Sequence, residues 1–221
     1  MPTCPSCGAE LRFRASVSVY TVCASCGSMV VRSGVAVESI GQMASLPDDI
    51  SPLQIGTTLI YAGRRYTLLG RARMAWEDGA WTEWFMDNGS TPGWLTDAQG
   101  FLSVSFEQPV PPTIAPRLAV GTEVILQDRV YRVADLKHAT CVGSEGELPF
   151  AAPSGRTADY TDMVSLSAGF ASLEESKVGR QLYIGENLTF DDLSFGNLRP
   201  LEGWTPPRTP MAGDPQLPPP S

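Results

Sequence analysis

Four of the five cysteines stand in two matching tetrapeptides. Cys4-Pro5-Ser6-Cys7 is followed by Gly8, Cys23-Ala24-Ser25-Cys26 is followed by Gly27, and 15 residues separate the pairs. Two residues between cysteines let both thiolates turn onto one ion, and a glycine after the second permits the positive φ that tightens the turn. Four thiolates enclose one Zn²⁺ tetrahedrally at about 2.3 Å and leave no coordination position open for water. The expected chemistry is therefore structural: one Zn²⁺ held by Cys4, Cys7, Cys23 and Cys26. Two tight pairs with Cys141 left over read as metal binding, not as a disulfide framework, and they fit a reducing compartment.

The spacing predicts a zinc ribbon over residues 1–34. Ser16 to Val22 alternates with period two and reads as a strand, with Glu10–Arg14 and Met29–Arg32 as its partners. So small a module lacks the apolar surface to fold alone. Metal binding supplies the deficit, on the order of 10–16 kcal/mol for structural zinc.

A second set of reactive side chains lies between Trp81 and Trp94, within the tryptophan-rich stretch 55–106. Trp81, Glu83, Phe85 and Asp87 share one face of a strand; Thr82, Trp84 and Met86 share the other. Tryptophans can stack on a sugar or another small molecule, and a carboxyl can hydrogen-bond it. Trp81, Glu83, Trp84 and Trp94 are thus candidate ligand-binding residues. Against that, large aromatics in a meander mostly form core. A glutamate among them would accept hydrogen bonds from backbone, indole or an arginine such as Arg71 or Arg73. His138 and Cys141 could form a nucleophile pair, but residues three apart on a strand point to opposite faces. Cys141 therefore reads as a small core residue. No phosphate-binding loop, HExxH or GxSxG pattern occurs.

The elements that must position these groups are short strands. Ala62-Gly63, Asp78-Gly79, Asn88-Gly89 and Gln99-Gly100 mark turns, and Gly70 marks a bulge inside a long strand. Gly56 opens GTTLIYAGRRYTLLGR, and Gly121 opens GTEVILQDRVYRVADL, with five identities over sixteen positions at an offset of 65. The pattern predicts a duplicated β unit with pseudo-two-fold symmetry. The expected organisation is a ribbon at 1–34, a connector at 35–54 compatible with one short helix over 36–46, and a first β repeat at 55–108. A Pro-rich bridge at 109–118, a second repeat at 119–203 and a flexible Pro-rich tail at 204–221 follow. The fold class is all-β: a zinc ribbon joined to a duplicated antiparallel sandwich or barrel.

The strings SPLQIGTTLIYAGRRYTLLGR, WTEWFMDNG and GWLTDAQG resemble the bacterial domain-of-unknown-function family 4178, with similarity running from Cys4 to Pro200. The resemblance implies a zinc ribbon, an Ile-Gly-Thr opening, a Trp-x-Glu-Trp strand and a Gly-Trp-Leu strand. It also implies a setting among membrane-stress or polyamine-linked genes. Thr82 departs from the pattern, which has asparagine there.

Composition narrows the functions further. The net charge of −8 is uneven: residues 1–34 carry +2 and the remainder −10. An acidic body repels phosphate backbones, which disfavours nucleic acid as a partner. No run of 18 apolar residues and no signal peptide is present, so the cytoplasm is expected. The closed metal site, the lack of a catalytic constellation and the proline tail read as a non-enzymatic binding or adaptor protein with a protein partner. Small-molecule or carbohydrate binding through a face of Trp81, Trp84 and Trp94 is the alternative, and an enzyme using Glu83, His138 and Cys141 is a third.

Overall fold

A computed structural model describes residues 1–44, 46 and 50–205. All but the start of the Pro-rich tail falls outside these residues. The described chain is all-β, with no α-helix and a single turn of 3-10 helix at Phe190–Asp192. The N-terminal module contributes β1 (Tyr20–Val22), β2 (Ser28–Ser33) and β3 (Ala36–Gln42). The first half of the body has β4 (Thr58–Tyr61), β5 (Arg64–Trp76), β6 (Gly79–Asp87), β7 (Pro92–Ala98) and β8 (Phe101–Gln108). The second half has β9 (Glu123–Leu126), β10 (Arg129–Leu148), β11 (Thr157–Val164), β12 (Gly169–Ser176) and β13 (Gly179–Leu188).

The two halves follow one plan. Gly56 and Gly121 both take positive φ, at 90° and 88°. Leu68 N–H donates to Thr57 O, and Val133 N–H to Thr122 O; Gly56 N–H donates to Leu68 O, and Gly121 N–H to Val133 O. Each pair is 65 residues apart. The β4–β5 turn has both central residues left-handed, Ala62 and Gly63, as does the β9–β10 turn, Gln127 and Asp128. Register shifts fall between Leu68 and Gly70 in β5 and between Val133 and Asp135 in β10, again 65 apart.

The halves do not stack as two sheets. β8 pairs with β13 at one seam and β10 with β5 at the other, so β5-β6-β7-β8-β13-β12-β11-β10 closes into an eight-stranded antiparallel barrel. Closure removes the sheet edges that two separate halves would expose. The barrel's outer face is the more apolar one. Leu68, Trp84, Leu95 and Val104 pack beneath Leu193 and Phe195 of the chain after β13. Tyr131, Met163, Leu173 and Leu182 pack beneath Ile114 of the Pro-rich bridge, with Val110 and Leu118 at the margin. The bridge is thus a strap over the second half.

The N-terminal module departs from expectation in two places. The short helix expected over 36–46 is absent among the described residues: β3 continues from a tight turn at Ser33/Ala36 and pairs with β2 along its length. The left-handed turn at Gly34 returns the chain antiparallel, and ladder bonds outweigh local helix propensity. The sheet of the N-terminal module therefore continues to Gln42. Only Tyr20–Val22 of the predicted 16–22 strand is regular. Its second partner is not Glu10–Arg14 but β10, through Tyr20↔Leu148 and Thr21↔Glu147. The far end of β10 thus reaches out of the barrel and carries the ribbon.

Candidate functional site

Two sites emerge. At the first, both cysteine knuckles have the same backbone geometry. Gly8 N–H donates to Cys4 O at 2.9 Å and Gly27 N–H to Cys23 O at 2.8 Å; Cys4 N–H donates to Ala9 O and Cys23 N–H to Ser28 O. Gly8 and Gly27 take φ of 78° and 71°. The turns bring the four sulfurs to within 4.8 Å of one another. Cys4 Sγ lies 3.7 Å from Cys26 Sγ, and Cys7 Sγ lies 3.8 Å from Cys23 Sγ. Four sulfurs set tetrahedrally about 2.3 Å from one ion would be about 3.8 Å apart. Backbone N–H groups of Ser6 and Cys7 point at the Cys4 sulfur, that of Ala9 at Cys7 and that of Ser28 at Cys26. Such donors stabilise thiolates, the form that binds metal. These four side chains could hold a metal ion.

The second site is the inside of the barrel. Strand alternation turns Trp81 and Glu83 of β6, Trp94 and Thr96 of β7, and Ser103 and Ser105 of β8 inward. Tyr160 of β11, Ser172 and Glu174 of β12 and Tyr183 of β13 face them, and together they line a cavity of about 400 Å³. Its mouth lies at the β5–β6 and β7–β8 turns, near Asp78, Gln99 and Phe101. At the opposite end, Met74, Phe85, Ala139 and Cys141 close it. There the β10–β11 loop folds in with Phe150 and Arg156; Phe150 stacks on Trp94 at 5.6 Å between ring centroids. Trp81 meets Tyr160 edge-on at 5.2 Å, and Trp94 meets Tyr183 edge-on at 6.4 Å.

Four carboxylates, Asp78, Glu83, Asp162 and Glu174, and the Lys137 ammonium line this space, and Arg156 pairs with one of them. Arg156 is ion-paired with Glu174, both nearly buried, and its guanidinium lies over the Phe150 ring. Lys137 pairs with Asp162 at 2.6 Å and Asp135 at 2.9 Å, over the Trp76 ring. Glu83 accepts a hydrogen bond from the Trp81 indole at 2.9 Å. The Tyr160 hydroxyl faces Glu83 but lies outside hydrogen-bond geometry and has no partner. Enclosure, then the neighbouring Glu174 charge, push the Glu83 carboxyl up to about 7, against the pull of the Trp81 indole, the Tyr160 hydroxyl and Arg156.

Because this value lies above that of an unfolded glutamate, the folded state holds the proton longer as pH rises. Stability is undiminished below about pH 4.5 and falls as pH climbs towards 7. Glu83→Gln should therefore raise the melting temperature at pH 8–9, by a few kcal/mol equivalent, and leave pH 4.5 nearly unchanged. Thermal melts across pH check this; a variant less stable at pH 8 would show that the carboxylate stabilises the fold.

A family model described as "Domain of unknown function (DUF4178)" matches residues 54–190, more than half of the chain. The chain belongs to the DUF4178 family. The matched span starts just before β4 and ends just after β13, so the DUF4178 unit is the barrel with its cavity, and the cysteine module precedes it. No curated protein and no solved structure matches the chain.

Within the DUF4178 barrel, the tryptophan face read from sequence separates into two. Trp81, Glu83 and Trp94 meet inside, whereas Trp84 lies in the outer apolar layer, under the Arg71 guanidinium. Arg71 pairs with Glu145 and does not reach Glu83; the guanidinium inside the barrel is that of Arg156. Thr82, opposite Arg73 on β5, is on the outer side and does not line the cavity. His138 is exposed and bonded to Asp159 at 2.6 Å, while Cys141 is buried in the barrel floor. Burial pushes the Cys141 thiol up to about 11, which leaves it an inert core residue.

Glu174, Arg156, Tyr160 and Tyr183 were missed from sequence. The period-two pattern Phe170-Ser172-Glu174 in β12 was the available signal, since it aims polar side chains at the same face as the cavity.

Proposed function

We propose that this protein binds a small organic molecule inside its barrel, and that its N-terminal module is a zinc ribbon clamped on the barrel's closed end. One observation carries the reading: the barrel's outer layer is aliphatic and aromatic, whereas its inner wall sets buried polar side chains among the aromatic rings. Ser103, Ser105, Ser172 and Glu174 are each less than a tenth exposed and face the interior. A barrel filled only for cohesion would have aliphatic side chains there, because buried polar groups are costly without partners. Aromatic walls with a few converging polar groups and a volume of about 400 Å³ match small-molecule sites, which span roughly 300–1,000 Å³.

Zinc is the favoured ion because four thiolates at tetrahedral spacing suit it, and a closed set gives it a structural role. A reducing compartment, the cytoplasm first, keeps such thiols available. The adaptor reading rests on the closed metal site, the lack of a catalytic constellation, the acidic body and the Pro-rich tail, and the cavity carries the functional reading further.

The test is direct. Trp81 and Trp94 should report occupancy through their fluorescence when purified protein is titrated with a small-molecule library. Ser103→Phe, which fills the space, should abolish the response while the far-UV spectrum stays the same. Responses that persist in a folded Ser103→Phe protein would place the ligand elsewhere and end the proposal.

A further inference from the structure

We propose that the cavity takes an organic cation, its charged nitrogen set against Glu83 and its carbon body enclosed by Trp81, Trp94, Tyr160 and Tyr183. This rests on the binding reading above and adds the ligand's chemical class.

Charge pairing inside the barrel points there first. Arg156 is held by Glu174, and Lys137 by Asp162 and Asp135. Glu83 has only neutral groups facing it as donors, the Trp81 indole and the nearby Tyr160 hydroxyl, and no ion-pair partner among the described residues. An enclosed carboxylate without a counter-charge is costly, and a positively charged ligand relieves that cost on arrival. The groups facing Glu83 from other elements are Glu174, Arg156, Tyr160, Cys141 and Tyr183. Lys137 of the lining and Arg156 beside it are both committed to other carboxylates, so an anionic ligand would meet an acidic surplus.

The aromatic rings make the second argument. Four of them surround the space beside Glu83, and the faces of such rings attract cations, most strongly when water is excluded. They also fit a carbon-bearing ligand better than a bare metal ion. Among the described residues only the four cysteines converge as a potential metal cluster, so the four carboxylates do not form one. The third argument is the Tyr160 hydroxyl, buried and without a hydrogen-bond partner. A buried donor left over at a cavity wall marks a place for a ligand's polar atom.

The probes are benzyltrimethylammonium and tetramethylammonium, with benzyl alcohol and glucose as neutral counterparts, titrated into the full-length protein by calorimetry and tryptophan fluorescence at pH 8. The ammonium probes should bind at least tenfold tighter than the neutral ones. Glu83→Gln, which keeps the side-chain shape, should weaken them tenfold or more with no loss of melting temperature. Trp81→Leu should weaken them as well. Affinity for the cations should fall about tenfold from pH 8 to pH 5.5, as Glu83 takes up its proton.

Equal binding of neutral and charged probes, or cation binding unaltered by Glu83→Gln, would overturn the cation assignment and leave the cavity reading in place. Glucose binding without ammonium binding would do the same. Cation binding that survives Ser103→Phe would overturn both. No response to either ammonium probe in the wild-type protein would overturn the cation assignment alone.

Discussion

Stripping the metal from the N-terminal module should destabilise the barrel together with the ribbon, in one cooperative transition lowered by about 10 °C or more. A ribbon held only by its own metal would unfold by itself in Cys7→Ser or Cys23→Ser and spare the body. The interface decides otherwise. Tyr20 of β1 is fully buried in the same cluster as Met74, Phe85 and Trp94 of the barrel floor. Its hydroxyl lies 3.0 Å from Ser144 Oγ on β10. The buried Glu147 carboxylate accepts hydrogen bonds from the backbone N–H groups of Arg14 and Ala15, at 2.7 and 3.2 Å.

When the ribbon unfolds, a tyrosine-sized hole opens in the barrel floor and Glu147 loses its donors. Emptying an aromatic site of that size costs about 3–5 kcal/mol. For a chain of this length about 1 kcal/mol shifts the midpoint by 2–4 °C, which sets the expected shift. Circular-dichroism melts of Cys7→Ser and Cys23→Ser, with metal analysis showing one zinc per wild-type chain and none in the variants, would test it. Two separate transitions, with the upper one unmoved, would show that the ribbon contributes nothing to the barrel.

The second large effect is expected at Gly185. A Cβ built there would lie 1.8 Å from Val104 O and 2.7 Å from Ser105 Cα, both backbone atoms of the neighbouring strand. Backbone cannot swing aside as a side chain can. Gly185 pairs with Ser105 in the β8–β13 ladder, one of the two seams that close the barrel. Gly185→Ala should force that ladder apart and cost about 3 kcal/mol or more, at the upper end for overpacking. Gly155→Ala is the matched control: it has φ of 86° but open space around it, so only backbone strain of about 1 kcal/mol is expected. Denaturant melts of the two variants check this. Equal losses would mean that the seam accommodates a methyl group. Because the seam also sets the inner circumference, Gly185→Ala should weaken any cavity ligand, while Gly155→Ala should not.

Much of this was legible in the residues. Cys-x-x-Cys-Gly, repeated, needs only local turn geometry to bring two sulfurs together, and chain length between the pairs does the rest. The Gly56 and Gly121 strings reported one β unit written twice, because turn residues and alternation are local and survive divergence. Period two placed Trp81 with Glu83 and apart from Trp84, so the composition of each face was available. Which face was the inside was not. Alternation separates a strand's two sides but carries no sign, and here the more apolar side, with Trp84, Leu95 and Val104, lies outside beneath the straps.

The sequence by itself determined the strands and turns of the barrel, the repeat and the sulfur site, because each depends on neighbours within a few residues or on a matched pair of knuckles. Tertiary structure alone decided that β5 meets β10 and β8 meets β13. Those pairings join residues far apart in the chain, and nothing local distinguishes a closed ring from two stacked sheets. From that closure follow the cavity, the meeting of Glu83 with Glu174, Arg156 and Tyr160, and the docking of the ribbon on β10.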